Sequence, residues 1–111
     1  MTGDELAGLL ERGEVALVDV RAPEEYAGTA GYPCDPRQGH IPGAVNVVLD
    51  ELYGSDVREL LAQRGVASGA RIVTYCHSGS RSEIAAALLR AAGLDATNYE
   101  GSWHEWSRRS E

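Results

Sequence analysis

The residues whose chemistry is easiest to interpret lie in the segment 75–81, which reads YCHSGSR. Cys76 follows an apolar run that predicts a strand and precedes an Ala/Leu-rich run, from about Ser82, that predicts a helix. Backbone N–H groups at the start of such a helix can point at one spot, where the helix dipole adds positive potential. These conditions favour a reactive thiolate. A buried structural cysteine is the alternative, and the polar residues after Cys76 argue against it.

The flanking sequence predicts the elements that position this segment. The apolar run at 15–20 is typical of a strand buried on both faces, and 44–48, 71–75 and 96–99 predict three further strands. Helices are predicted at 2–13, 23–26, 56–64, 82–92 and after 101. Because strands alternate with helices, we expect an α/β domain with a mostly parallel central sheet flanked by helices.

Residues 28–42 predict a long irregular loop, since they include three prolines and three glycines. Loops of this length in compact domains are often functional. Ligands of open α/β sheets bind beyond the carboxyl ends of the strands. Asp19 and Arg21 follow one predicted strand and Cys76 follows another, so we expect them to share one crevice.

Composition and charge limit the classes of function. A chain of 111 residues suits one core, and its 43% hydrophobic and 24% charged residues are typical of a globular protein. The net charge of −7 argues against nucleic acid and anionic membranes as partners. The sequence contains no apolar run of membrane-spanning length and no signal-peptide pattern at its start, so a cytoplasmic location is expected. The two cysteines and three histidines show no zinc-binding spacing, so we predict no metal and no cofactor.

Four motifs, in this order along the chain, together resemble the rhodanese (thiosulfate sulfurtransferase) family. They read DVR at 19–21 with EYAG at 25–28, GHIPGAVN at 39–46, YCxxGxRS at 75–82 and EGSWxxW at 100–106. The last is most similar to the catalytic domain of two-domain thiosulfate and mercaptopyruvate sulfurtransferases. The resemblance implies a single rhodanese-like domain over residues 1–111.

The resemblance also implies a sulfurtransferase with Cys76 as its nucleophile. Cys76 would attack the outer sulfur of a donor such as thiosulfate, expel sulfite and hold the sulfur as a persulfide until cyanide, a thiol or a protein cysteine takes it. The N–H groups of residues 77–81 would form a cradle for the anionic donor and the persulfide. The predicted substrate-binding residues are His77, Ser78, Gly79, Ser80, Arg81 and Arg21, with Asp19 in a supporting role.

Each of the two arginines has two interpretations. Arg21 either contacts substrate or forms a structural ion pair with Asp19. Arg81 lies at a helix start, where a cation opposes the dipole. A specific anionic partner is therefore expected for Arg81, and that partner is either the substrate or a carboxylate that holds the loop.

Two positions bear on the sulfur donor. Thiosulfate enzymes of the family often have a cation at the second or third loop position, where this chain has His77 and Ser78; a protonated His77 would substitute in part. Mercaptopyruvate enzymes usually have a second arginine where this chain has Glu25, and a carboxylate is expected to repel an α-keto acid. Both positions favour thiosulfate or a persulfide donor.

Other functions would use the same loop. A persulfide carrier in a protein sulfur relay needs the same cysteine. Phosphatases and arsenate reductases also have a cysteine loop that ends in arginine, but theirs is longer than the four residues between Cys76 and Arg81 here. A non-enzymatic rhodanese-like binding module would often lack the cysteine.

Two features outside this loop are assigned other roles. Cys34 is interpreted as an ordinary loop thiol, with resolution of a Cys76 persulfide or sulfenic acid as the less favoured alternative. Trp103 and Trp106 predict core packing, and Trp103 is also placed to form a wall of the site. Neither oligomeric state nor the need for a partner domain follows from the sequence.

Overall fold

A computed structural model describes residues 1–54 and 56–109 of the chain. Ser55 and residues 110–111, the end of the predicted domain, lie outside the described residues. The elements are α1 (Gly3–Glu11), β1 (Ala16–Asp19), α2 (Pro23–Ala27), β2 (Val45–Asn46), a 3₁₀ helix (Leu49–Leu52), α3 (Val57–Gln63), β3 (Ile72–Tyr75), α4 (Ser80–Ala91), β4 (Ala96–Asn98) and α5 (Ser102–Trp106). Residues 28–42, here called the long segment, contain no helix or strand.

The described strands form one parallel sheet in the order β2-β1-β3-β4, as the alternation of strands and helices predicts. Asp19 at the end of β1 is level with Tyr75 at the end of β3. The residues that follow these two strands therefore meet at the same edge of the sheet. This register brings the backbones of residues 19–21 and Cys76 to one edge of the sheet, while their sharing of one crevice stays a prediction.

Each face of the sheet is covered by a separate hydrophobic cluster. One joins Val18 and Ile72 to Leu61 of α3 and Ala85 and Leu89 of α4. The other joins neighbouring strand residues to α1 and α5, and its buried members include Leu6, Leu17, Val73, Tyr75 and Trp103. Because successive strand residues point to opposite faces and both faces are covered, every residue of β1 and β3 except Ala16 is buried, including the polar Asp19 and Thr74.

Most elements differ by one or two residues at their ends from the predicted bounds, and two of the differences bear on the site. Strand β2 has two residues rather than five, because the chain turns into the 3₁₀ helix that follows and the Asn46 amide donates to the carbonyls of Asp19 and Arg21, at 3.0 Å each. Helix α4 begins at Ser80 rather than Ser82, because Gly79 makes the turn in a left-handed conformation. Arg81 therefore lies in the first turn of α4.

The helices of the described chain are too short or too polar to cross a membrane.

Candidate active site

The sulfur of Cys76 lies at the centre of residues 76–82, here called the Cys76 loop, which comprise the loop after β3 and the first turn of α4. The Cys76 residue is 1% exposed. Its Sγ accepts hydrogen bonds from the Gly79 amide at 3.1 Å, the Ser82 amide at 3.4 Å and the Ser82 hydroxyl at 3.3 Å. Donors therefore converge on a single sulfur atom from the start of a helix.

These donors shift the acidity of the thiol. Burial raises the pKa of Cys76, because a thiolate is poorly solvated there. The hydrogen bonds from the Ser82 hydroxyl and from the amides of Ser82, Gly79 and Ser78 favour the thiolate and outweigh burial, so the pKa lies below the ordinary value. These hydrogen bonds therefore favour the thiolate form of Cys76, the form that the sequence prediction needs.

Gly79 is required by the shape of the loop. Its φ is 100°, in the left-handed region that favours glycine. A Cβ atom there would also lie 2.7 Å from the carbonyl oxygen of Glu100. The segment before α5 thus packs directly against the loop backbone, which leaves no room for a side chain.

Helix α5 holds the other side of the Cys76 loop. The amides of Trp103 and His104 donate to the carbonyls of Cys76 and His77, both at 2.9 Å. The Ser102 hydroxyl accepts from the Cys76 amide at 3.1 Å and donates to the Tyr99 carbonyl at 2.9 Å. Ser102 has a φ of 52°, an uncommon conformation for a residue with a side chain. The GSW motif therefore fixes the backbone of Cys76.

Arg81 binds a carboxylate within the protein. Its Nη1 and Nη2 atoms lie 2.9 and 3.2 Å from the two oxygens of Glu25 in α2. Hydrogen bonding to Glu25 raises the pKa of Arg81. Burial raises the pKa of Glu25, but the bonds and charge of Arg81 lower it further, so the net shift is downward. Of the two partners open from the sequence, the structure shows the carboxylate.

Arg21 forms a buried ion pair with Asp19. Its Nη2 lies 2.8 Å from Asp19 Oδ2 and 2.6 Å from the Gly39 carbonyl oxygen, and the two side chains are 1% and 0% exposed. The guanidinium also lies 5.3 Å from the centre of the Trp103 ring. Of the two interpretations, the structure shows the ion pair with Asp19.

His77 is bound to the long segment. Its Nε2 lies 2.9 Å from Asp35 Oδ2, and its ring stacks on Tyr32 with centroids 3.6 Å apart. Cys34 is exposed, with its Sγ 3.9 Å from Asp35 Oδ1. The fold therefore brings together one thiol, one carboxylate and one imidazole, a set that could hold a metal ion.

The remaining predicted residues divide by exposure. Ser78 and Ser80 are exposed at the surface of the Cys76 loop. Trp103 is buried in the core, and its Nε1 donates to the Arg37 carbonyl at 3.0 Å, which confirms core packing. Sequence reasoning did not assign Ser82 and Ser102 to the site, although both belong to motifs that it identified. Gly79 caps the start of α4, and a serine three positions after such a cap is the signal that would have indicated Ser82.

Comparison with known proteins agrees with this geometry. Residues 2–109 match the model of the rhodanese-like domain. The chain belongs to the rhodanese family. Among solved structures, this rhodanese is similar to the human single-domain sulfurtransferase TSTD1, with 29% identity, a TM-score of 0.77 and coverage of 100% of this chain and 96% of that one. This likeness confirms the predicted fold class.

Two curated relatives are similar to this rhodanese over part of their length. The putative thiosulfate sulfurtransferase SseB of Mycobacterium tuberculosis is 38% identical over 86% of this chain and 36% of its own. The sulfur carrier protein TtuD of Thermus thermophilus is 34% identical over 87% of this chain and 40% of its own. The chain thus spans less than half the length of these relatives.

Proposed function

We propose that this rhodanese transfers a sulfane sulfur from thiosulfate, or a similar donor, to a thiophilic acceptor through a persulfide on Cys76. The observation that carries the proposal is the set of three hydrogen bonds from Gly79 and Ser82 to Cys76 Sγ. They stabilise the thiolate before attack and again when it leaves. Relatives named thiosulfate sulfurtransferase support the same chemistry.

The proposed reaction has two displacement steps. In the first, the Cys76 thiolate attacks the outer sulfur of thiosulfate, a new S–S bond forms, and sulfite leaves with the electrons of the old S–S bond. In the second, the acceptor attacks the outer sulfur of the Cys76 persulfide and the thiolate re-forms. Cyanide would leave as thiocyanate and a thiol would leave as a persulfide. No net oxidant is needed, and the amides of residues 77–81 bind the anionic species.

The other site residues have supporting roles in this proposal. Ser78 and Ser80 are exposed beside the sulfur and contact the donor. Arg81 holds α4 to α2 through Glu25, and Arg21 with Asp19 supports the sheet edge. The binding of His77 to Asp35 makes it a connection to the long segment, so it replaces a loop cation only weakly.

The rates at which thiosulfate and mercaptopyruvate load Cys76 with sulfur distinguish the two donors. Because Arg81 neutralises Glu25, repulsion by this carboxylate does not by itself exclude an α-keto acid. We propose thiosulfate or a persulfide as donor, with faster loading of Cys76 from thiosulfate than from mercaptopyruvate. Both cysteines are free thiols, which suits a reducing compartment, and we propose the cytoplasm.

The experiment is thiosulfate:cyanide turnover together with intact mass after thiosulfate treatment. Wild type gains one sulfur atom, and cyanide removes it. Cys76→Ser gains none and does not turn over, whereas Cys34→Ser, which changes the exposed thiol, behaves as wild type. Turnover that survives Cys76→Ser would overturn the proposal.

A carrier in a protein sulfur relay is the second candidate, favoured by the similarity to a relative named sulfur carrier protein. A carrier loads Cys76 fully but transfers the sulfur to cyanide slowly. Both Nη atoms of Arg81 are bound to Glu25, and this leaves the phosphatase and arsenate reductase alternatives without a free arginine for the oxyanion. Aryl phosphate hydrolysis at a rate comparable to sulfur transfer would instead favour the phosphatase alternative.

A further inference from the structure

Cys34, Asp35 and His77 form a cluster outside the sulfur-binding donors. The first two lie in the long segment, whereas His77 comes from the Cys76 loop, more than forty positions further along the chain. One ligand atom from each lies within 4.8 Å of the others. The sequence spacing gave no sign of this cluster, because the fold alone makes the residues neighbours.

The distances within the cluster are close to those of a tetrahedral metal site. Bond lengths of about 2.0–2.3 Å to zinc imply that two ligand atoms on one ion lie about 3.3–3.6 Å apart. His77 Nε2 and Asp35 Oδ2 are now 2.9 Å apart, and Cys34 Sγ is 3.9 Å from Asp35 Oδ1. The three ligand atoms lie within 4.8 Å of one another, so shifts of about 1 Å would bring them onto one ion.

The environment separates a fixed part of the cluster from an adjustable part. The Asp35 side chain is 0% exposed, and Arg108 binds its Oδ1 at 2.9 Å, so Oδ2 faces His77. Tyr32 stacks on the His77 ring and fixes its plane. Cys34 is exposed, so its thiol can turn toward the other two atoms. The cluster resembles a site with two fixed ligands and a third that closes on the ion.

The charges of the cluster also suit a divalent cation. The positive charges nearby are Arg108, which is bound to Asp35, and His104 when it is protonated, with its Nδ1 3.8 Å from Asp35 Oδ1. Cys34 as thiolate and Asp35 together bring two negative charges. Metal binding releases the thiol proton of Cys34. Thiolate and imidazole ligands select zinc over magnesium or calcium.

We propose that Cys34 Sγ, Asp35 Oδ2 and His77 Nε2 bind Zn²⁺, with a fourth position open to water. Three protein ligands and one open position form a recognised zinc arrangement. The bound ion joins the long segment to the residue that directly follows Cys76. This proposal concerns binding only and does not depend on sulfur transfer.

Cobalt is the probe that tests the site, because a thiolate bound to Co²⁺ gives a charge-transfer absorption in the near ultraviolet. The absorption appears with one equivalent of Co²⁺ in wild type and in Cys76→Ser, and is absent in Cys34→Ser. Absence from all three proteins overturns the proposal. Loss in Cys76→Ser with retention in Cys34→Ser also overturns it, because the metal thiolate is then the nucleophile.

Zinc affinity gives a second readout, by competition with a chromophoric chelator. Cys34→Ser weakens Zn²⁺ binding by more than the roughly 10–100-fold that loss of an outer-shell partner costs, whereas Ser68→Ala, at an exposed position far along the chain from the cluster, leaves it unchanged. Zn²⁺ raises the thermal midpoint of wild type and Cys76→Ser but not that of Cys34→Ser. Equal affinity in wild type and Cys34→Ser would overturn the proposal.

Discussion

The Cys76 loop and the long segment touch each other, yet different kinds of hydrogen bond hold them. Main-chain groups and short side chains hold the backbone of the Cys76 loop, as in the bond that the Trp103 amide donates and the bond that the Ser102 hydroxyl accepts from the Cys76 amide. Arginines bind the long segment: Arg21 reaches the Gly39 carbonyl, Arg37 reaches the Trp106 carbonyl and Arg108 reaches the Cys34 carbonyl. Short donors fix atoms closely, whereas arginines hold irregular backbone across longer gaps and bring charge.

This difference separates the two cysteines. Cys76 Sγ accepts three hydrogen bonds and is 1% exposed. Cys34 is exposed, and its Sγ lies 3.9 Å from a carboxylate oxygen. A reactive thiolate in this fold therefore depends on converging backbone donors, and accessibility alone does not create one.

The largest expected effect concerns Arg21, one of the arginines that hold the long segment. Arg21→Met leaves the Asp19 carboxylate buried without its partner, and we expect the free energy of unfolding to fall by about 3–5 kcal/mol. Urea denaturation measures it. The double variant Asp19→Leu/Arg21→Met regains part of the loss, because no unpaired charge remains. A loss below about 1 kcal/mol, typical of an exposed pair, would refute the structural role of Arg21.

The next effect concerns the shape of the Cys76 loop. Gly79→Ala adds strain at a φ of 100° and a contact with the Glu100 carbonyl, so we expect a loss of more than the roughly 1–3 kcal/mol of backbone strain alone. Gly43→Ala is the matched control, since Gly43 has a φ of 88° and open space around it. Both variants lose stability, but only Gly79→Ala slows sulfur loading of Cys76. Equal rates of sulfur loading in Gly79→Ala and Gly43→Ala would mean that the Cys76 loop works even when its backbone is displaced.

A smaller effect tests the donors on the sulfur. Ser82→Ala removes a hydroxyl that lowers the pKa of Cys76. The pH at which loading reaches half its maximal rate moves upward, toward the ordinary value of 9.0. Well below that pH the thiolate population falls roughly tenfold or more, because a hydrogen bond to a charged group contributes about 1.5–3 kcal/mol. The exposed control Ser68→Ala leaves the profile in place, and an unchanged profile in Ser82→Ala would show that the hydroxyl is not needed.

The smallest effect concerns the partly exposed ion pair between α2 and α4. The pKa of Glu25 is lowered in the folded protein, so its contribution is present above the ordinary value of 4.5 and is lost as the pH falls through the folded value. Glu25→Gln therefore lowers the free energy of unfolding by about 1 kcal/mol or less at neutral pH and leaves it unchanged in strong acid. The control Glu24→Gln changes the adjacent exposed carboxylate. A difference from wild type that grows in acid would contradict this assignment.

The regular part of the molecule could be predicted from sequence because its signals are local. The capping box at Thr2 and Glu5 forms as the pattern predicts, and Gly28 ends α2 in a left-handed conformation. Strands β1 and β3 are buried on both faces, as their continuous apolar runs indicate. The meeting of Asp19 and Cys76 at one edge followed from the parallel topology alone.

The partners of individual side chains could not be predicted in the same way. Arg81 selects Glu25, and His77 selects Asp35, across 56 and 42 positions of sequence. The first choice depends on how α2 packs against α4, and the second depends on how the long segment packs, which has no periodic pattern to guide a prediction. The roles of Ser82 and Ser102 depend on the direction of a hydroxyl, which sequence spacing does not specify.

Helix α5 also sets the order in which the site matures during synthesis. The amides of Trp103 and His104 and the hydroxyl of Ser102 that hold the Cys76 loop lie 26 to 28 positions after Cys76 in the chain. A nascent chain whose Cys76 has left the ribosome, while residues 99–107 are still inside the exit tunnel, has no support for the loop. The backbone of the Cys76 loop therefore reaches its folded shape only after residues 99–107 have left the tunnel and packed against it.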